Sequence, residues 1–472
     1  MHLFSPKIID HPLKNPLRTL LSFLFISATL LKSNPLLGAT QPPTKPPHYR
    51  GLSITPNNTL WVSGTKGTVL RGRTSKSTSF LFDTCITGYN TKDFRDIWAL
   101  DENTAVAMSI ADSAVVIKTT NGGRTWLQTY HDETPGIFLD VIEIDPKTGV
   151  GIILGDPLPN NSKVISGQSN SVKTITQKHF KALLTVDFGN SWIKIPSGEW
   201  NLPVDTLESF FAASGTSLSI ITSKANHKSK KYAITAGFAG GGYNPKYHWV
   251  DIKLQIPRED SKHLPNSQNE KTNPNYLWKI NPLPNLELGF KGGPAWGCYG
   301  LTHYQFSKGI AVGGNYAQPN FRGDSTGAIA AYSTNISTSW KPAIAPPFGY
   351  RSGVCISAPI NKDTVFKLFF QDTRNHCEGF YMAHGETPAE FFLNTNRRKE
   401  IPISICTGTT GTDISFDGGI HWLQLSQERG FNACSWSCNK LILVGNQGKI
   451  SAFSLEELAT NFRELNPLTP FR

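Results

Sequence analysis

Three arginines far apart in the chain each stand one residue after an aromatic: Arg50 after Tyr49, Arg95 after Phe94 and Arg351 after Tyr350. Asn432, after Phe431, holds the corresponding place near the end. A guanidinium presents a planar fork of donors that matches carboxylate, phosphate or sulfate. If the fold brings these side chains together, they form an anion or partner site. If it does not, each arginine pairs locally with Asp96, Asp140, Asp156 or a carbonyl and braces the structure.

Other chemistries find little footing. The run "GFAGGG" (237–242) lies between strand-like segments with no helix after it, so it does not build a dinucleotide cradle. No GxSxG, HExxH or Walker loop occurs. His303, His376 and His421 are isolated along the chain, and no CxxC is present, so no metal and no cofactor are expected. Trp98, Trp296 and Trp436 read as core residues rather than sugar platforms. Asp156 in "LGDP" reads as a turn cap before Pro157.

The elements that must position the arginines repeat. An apolar alternating run, a glycine turn and a second run recur at 60–73, 105–120, 151–161, 232–242, 310–320, 404–416 and 441–453. Each is preceded by a short strand-like segment, usually opened by an aromatic: "YRGLSI" at 49, "FRDIWAL" at 94, "FLDVIEI" at 138, "SFFAAS" at 209, "CYGLTHY" at 298, "YRSGVCI" at 350 and "FNACSW" at 431. Alternation of this kind marks strands, and seven such units predict an all-β ring. A second pattern, Ser/Thr, any, Asp/Asn, any, Gly, any, any, Trp, occurs in "TTNGGRTW", "TVDFGNSW" and "SFDGGIHW". It names Asn121, Gly123 and Trp126, then Asp187, Gly189 and Trp192, then Asp417, Gly419 and Trp422. "STNISTSW" keeps Asn335 and Trp340 but has Ser337 where the glycine belongs. Such a segment makes a hairpin turn: the Asp or Asn accepts backbone N–H groups, the glycine takes a positive φ and the tryptophan packs beneath.

This pattern resembles the Asp-box (BNR) repeat. With "RGLS", "LWVSGTKGTVLR", "DFRDI", "KTTNGGRTW", "FLDV", "ILGDP", "GYRS" and "VGNQGKI", the stretch from Tyr49 to about Phe453 resembles the photosystem II stability and assembly factor-like group of WD/YVTN/BNR propellers. Members of that group in non-photosynthetic bacteria often carry the name "oxidoreductase". The resemblance implies a seven-bladed β-propeller and says little about activity. Sialidases also carry Asp-boxes and an arginine cluster, so glycoside hydrolysis of acidic glycans is the alternative. Against it, sialidases have six blades, and neither their complete Arg-Ile-Pro motif nor a Tyr/Glu nucleophile pair with a separate acid is recognisable.

About 58 residues fall to each unit, more than the ~40–50 of compact blade repeats, so insertions are expected at 158–182, 222–231, 243–280 and 358–402. "SKANHKSKK" (223–231) and "NRRKE" (396–400) carry much of the positive surplus, either as solvated loops or as an anionic docking surface. The last blade is expected to combine strands from both ends of the chain, with residues 456–472 a short helix or tail.

The first 39 residues pair a basic start (Lys7, Lys14, Arg18) with the apolar run "TLLSFLFISATLL" and small residues at Gly38 and Ala39, the pattern of a signal peptide. A proline-rich linker follows at 40–48, then the propeller at 49–455. Export, to periplasm or exterior, takes the protein away from nucleic acid, so the net charge of +11 is expected to serve acidic partners or envelope surfaces. The seven cysteines leave two readings open, a disulfide among Cys355, Cys406, Cys434 and Cys438, or buried thiols. The expected function is a monomeric, non-catalytic binding or assembly module that holds an acidic protein segment or anionic glycan at an arginine-lined channel mouth.

Overall fold

The computed structural model describes residues 45–466 apart from 75–79, 111–112, 166–171, 197–207, 212, 258–276, 306, 325–326, 371–398 and 438–439. The signal-peptide reading of residues 1–39 therefore lies outside the described residues, as do Cys377 and Cys438. The other five cysteines are free thiols.

The chain folds as a β-propeller of antiparallel meanders. Among the described residues, seven of the eight sheets hold the inner strands Tyr49–Ile54, Phe94–Ala99, Leu139–Ile144, Leu218–Asn226, Gly293–Tyr304, Gly353–Ile356 and Phe431–Ser437, which face the axis; Glu208–Ser209 and Gly241–Gly242 extend the fifth of these sheets, and Ile360–Asn361 with Glu400–Ile401 forms a separate two-stranded sheet. Each inner strand packs beside the next, and the last packs beside the first. The segments with continuous apolar character become strands buried on both faces, as in Thr59–Gly64, Ala105–Ser109 and Ala114–Thr119. The core is consequently distributed between sheets rather than gathered in one place. Trp61 and Phe94 fill the gap between the first two sheets, Phe180 and Phe238 that between the third and fourth, and Tyr49, Val62 and Val444 that between the last and first. Each such side chain contributes about 1.5–3 kcal/mol by leaving water.

The four turn segments tie neighbouring sheets together. In each full copy the hydroxyl of the leading residue accepts the glycine N–H: Thr119 from Gly123 at 3.0 Å, Thr185 from Gly189 at 2.8 Å and Ser415 from Gly419 at 2.9 Å. The Asn121, Asp187 and Asp417 side chains accept from the backbone N–H four residues on. Gly123, Gly189 and Gly419 have φ of 80°, 75° and 87°, where a side chain would be strained. The tryptophans reach back to the preceding sheet. Trp126 meets Trp61 edge-on at 6.1 Å, Trp192 donates to Thr129 Oγ1, Trp340 lies 4.9 Å from Tyr247, and Trp422 packs with Ile310 and Val312. In the fourth copy Asn335 bonds Ser337 instead, and Ser337 keeps a negative-φ backbone.

Several expectations are corrected. The inner strand of the fourth sheet is Leu218–Asn226, not "SFFAAS", whose Ser209 pairs with Gly241 in the fifth sheet and whose Ala212 lies outside the described residues. The stretch 158–182 is not an irregular insertion, because Gly151–Ile165 and Val172–Thr185 pair in register out to Ile165 and Val172 as a long ribbon. Among the described residues the last sheet has three strands, in the order Phe431–Ser437, Lys440–Gly445, Ile450–Ser454. Asp156 sits beside a bulge in the long strand rather than capping a turn. After Ile450–Ser454 the chain forms a helix, Leu455–Leu465, with Ser454 and Glu457 in a reciprocal capping box. Its Leu458, Ala459 and Phe462 are built into the core against Phe369 and Phe370 of the helix Lys362–Phe370, so the terminal segment is structural.

Candidate binding site at the mouth of the ring

Inner strands begin at the same end of the ring, and there the sequence pattern has a physical cause. The register of the first sheet pairs Tyr49 with Gly64 and Gly51 with Ser63, leaving Arg50 as an extra residue. Arg95, Tyr299 and Asn432 are the extra residues at the same place in the second, fifth and seventh sheets. A bulge breaks the alternation of faces and re-aims its side chain, here toward the mouth.

Two of the three arginines meet there. Arg95 Nε lies 3.1 Å from Asp93 Oδ2. Arg50 is close enough to Arg95 that burial, first, and the neighbouring guanidinium, second, pull its pKa below the usual arginine range; Asp93 opposes them. Arg50 Nε is buried with no hydrogen-bond partner among the described residues. Beside the pair stands a group of aromatics that sequence reasoning missed. Phe211 stacks on Tyr299 at 4.5 Å, Tyr350 meets Tyr299 edge-on at 4.9 Å, and Tyr316, 54% exposed, completes the group. Tyr350 senses both Arg50 and Arg95, although burial holds its phenol above the ordinary range. Tyr299 was visible in "CYGLTHY", but only as the residue after a cysteine.

Arg351 and Asn432 do not belong to this site, which corrects the sequence reading of both. Arg351 is fully buried and pairs with Asp413, its Nε 2.5 Å from Asp413 Oδ2. Its Nη1 donates to Tyr350 O at 2.8 Å and Thr410 Oγ1 at 2.7 Å. Asn432 turns its amide to Tyr49 O at 2.8 Å and Asn446 Oδ1 at 3.0 Å, bridging the last and first sheets. Two of the expected local acids, Asp96 and Asp156, brace backbone instead of arginine. Asp96 accepts from Ile97 N and from Ile142 N of the next sheet, and burial raises its pKa to about 7. Asp156 accepts Phe210 N at 2.7 Å.

The channel below the mouth is filled. The segment 213–217 crosses it: Ser214 Oγ donates to Ser352 O in the sixth sheet at 2.6 Å, and Thr216 O accepts Leu301 N in the fifth at 2.6 Å. A Cβ on Gly215 would stand 2.0 Å from Asp96 Oδ1 in the second sheet. Glu208, before this plug, is held by His248 at 3.0 Å in a buried pair.

The remaining candidates are structural or lie outside the described residues. His303 is half-buried among Tyr247, Trp249 and Trp340, and desolvation lowers its pKa to about 3. His421 Nδ1 sits 2.8 Å from Asp417, and His376 is outside the described residues. Trp98 and Trp296 are buried, and Trp436 packs against the core. Among the described residues, no three His, Cys, Asp or Glu side chains are placed to hold a metal, and no helix is long and apolar enough to cross a membrane.

No family model matches the chain, and no curated protein matches it. Among solved structures it is similar to YCF48 bound to D1 peptide, with 12% identity and a TM-score of 0.41 over 87% of this chain and 94% of that one. It is similar also to YCF48 from Cyanidioschyzon merolae, with 12% identity and a TM-score of 0.39 over 88% and 98%. Likeness of this degree carries no argument about the site; the fold rests on the sheet topology and the cycle of inner strands.

Proposed function

We propose that the protein is an exported, monomeric, non-catalytic module, a seven-bladed propeller whose mouth binds an acidic protein segment. The closed succession of inner strands supports the blade number. The observation that carries the binding role is the pairing of Arg50 with Arg95 around one carboxylate, Asp93, beside the exposed ring of Tyr316. Like charges held together at a half-buried place cost free energy, and an incoming carboxylate removes that cost while the rings supply apolar contact. The plug favours a surface ligand over a small molecule drawn into a channel.

The hydrolase alternative needs a carboxylate pair, or a tyrosine with a glutamate, at the mouth. The tyrosine nearest the arginines, Tyr350, has its phenol raised by burial, which disfavours the phenolate, and Asp93 is engaged by Arg95.

The test uses residues 40–472, a fluorescein-labelled glutamate-rich peptide read by anisotropy, and a sialoside hydrolysis panel. Arg50→Ala/Arg95→Ala should weaken peptide binding roughly tenfold or more and reduce its salt dependence, with no turnover by either protein. Equal binding by wild type and variant would overturn the mouth as the site. Turnover lost in the variant would replace the module with a glycosidase. A fusion of residues 1–39 to a reporter, followed by fractionation, tests export.

A further inference from the structure

The strands of the fourth sheet are longer than those of the first two sheets. Leu218–Asn226, Lys231–Ala239 and Lys246–Gln255 run nine to ten residues, against five or six in the first two sheets. One face is buried throughout: Tyr232, Ile234, Ile252 and Leu254 pack with Phe180 and Ala182 of the third sheet. The other face begins buried, where Tyr247 and Trp249 pack with Trp340 of the fifth sheet. Two residues per step further along the same strand, Asp251 is half-buried and Lys253 and Gln255 stand in solvent.

The overhanging face is basic. Lys253 lies directly across from Lys279, and Ala233 directly across from Lys253 on the other side. In the next row Lys231, Gln255 and Leu277 oppose one another. Directly opposed side chains share a face at about 5 Å, where like charges destabilise the sheet. None of Lys231, Lys253 and Lys279 has an ion pair among the described residues. Among the described residues, the acid on this face of the strand, Asp251, is held by Thr235 Oγ1 at 2.7 Å. The three lysines line a cleft of about 470 Å³, with the small Ala233 next to Lys253 and Leu277, 56% exposed, at its side.

We propose that this overhang is a second docking surface, separate from the mouth, for an extended acidic polypeptide segment that places an apolar side chain between its acids. Charge complementarity selects the acids. The concave shape selects a chain over a flat lipid headgroup plane: an extended segment presents side chains to one face every ~6.5–7 Å, so carboxylates can reach the lysines while an apolar residue enters above Ala233.

The experiment separates this surface from the mouth. Lys231→Gln/Lys253→Gln/Lys279→Gln and Arg50→Ala/Arg95→Ala are compared with wild type in anisotropy titrations. The probes are a peptide alternating Glu with Leu and one of equal charge alternating Glu with Gly, and phosphatidylserine vesicles are tested by sedimentation. The lysine variant should lose at least tenfold in affinity for the Glu/Leu peptide, more than for the Glu/Gly peptide, in the wild-type and in the arginine-variant background alike. These lysines are exposed, so the melting temperature of the variant should match wild type; binding lost together with folding would not support the surface, and single-lysine variants then decide. Unchanged peptide affinity in the folded variant overturns the proposal. So does loss of vesicle binding with peptide binding intact, which would make the overhang a membrane contact.

Discussion

Arg351→Ala removes the cationic half of a pair in which both side chains are fully shielded from water. Asp413 would keep one backbone donor, Phe348 N at 3.2 Å, and lose the guanidinium. Tyr350 O and Thr410 Oγ1 would lose a charged donor each, and a void the size of an arginine side chain would open. Breaking one side of a buried pair costs about 3–5 kcal/mol. That is a large share of the ~5–15 kcal/mol by which domains are stable. The burial that already raises the pKa of Asp413 then acts without its main compensation, so part of the loss is relieved by protonation. Equilibrium urea unfolding followed by tryptophan fluorescence at pH 7.5 reads the effect as a shift in midpoint. Arg50→Ala and Arg95→Ala, at the half-exposed mouth, should move the midpoint by no more than about 1 kcal/mol equivalent. Arg351→Met/Asp413→Leu should recover most of the stability, since an apolar pair of similar volume replaces buried charges at little cost. An Arg351→Ala protein as stable as wild type, with its peptide binding lost, would refute this account and return Arg351 to the binding surface.

Two further outcomes follow from buried and turn positions. The Asp96 carboxyl, raised to about 7 against about 3.9 in an unfolded chain, favours folding when protonated; its contribution is complete below about pH 4 and lost as pH rises through 7. Wild-type unfolding midpoints should fall between about pH 4 and 8 and level off above, and Asp96→Asn should flatten that slope only in part, because Glu143, raised to about 8 by burial and by Asp96, adds a second step; identical slopes would refute the assignment. Ser337→Gly, which restores the glycine of the turn pattern, should give no stability gain and lose up to about 1 kcal/mol, since Ser337 has no positive φ to relieve and its hydroxyl bonds Asn335 at 2.8 Å; a clear rise in melting temperature would contradict this.

Legibility in the sequence followed how local each feature is. Turn segments were readable because hydroxyl, carboxylate, glycine and tryptophan act within eight residues, although the part played by Thr119, Thr185 and Ser415 was not. Inner strands were readable where an aromatic opens a buried run, and the same signature misled at Ser209, since Phe210 and Ala213 are buried as deeply as in a strand. The ribbon at 158–182 was invisible as strand: beyond Phe180 its composition of Asn, Ser, Lys and Thr carries no apolar period to read. Arg50 and Arg351 follow the same aromatic, yet Arg351 meets an aspartate 62 positions later while Arg50 sits on a bulge. Spacing along the chain records neither partner.

The ends of the described chain leave the ring at different places. Pro47 O accepts Gly448 N at 2.7 Å, His48 sits against Asn446, and Arg50 follows within two residues, so the chain enters beside the mouth. The closing helix instead finishes against the outer strand of the sixth sheet, where Asn466 donates to Gln424 O at 2.8 Å. A fluorophore or immobilisation handle attached near Lys45 would therefore hang over the arginines and tyrosines and obstruct whatever approaches them. One attached after Leu465 would project from the rim and leave that face open, which makes the carboxyl-terminal end the better anchor for surface-based binding measurements.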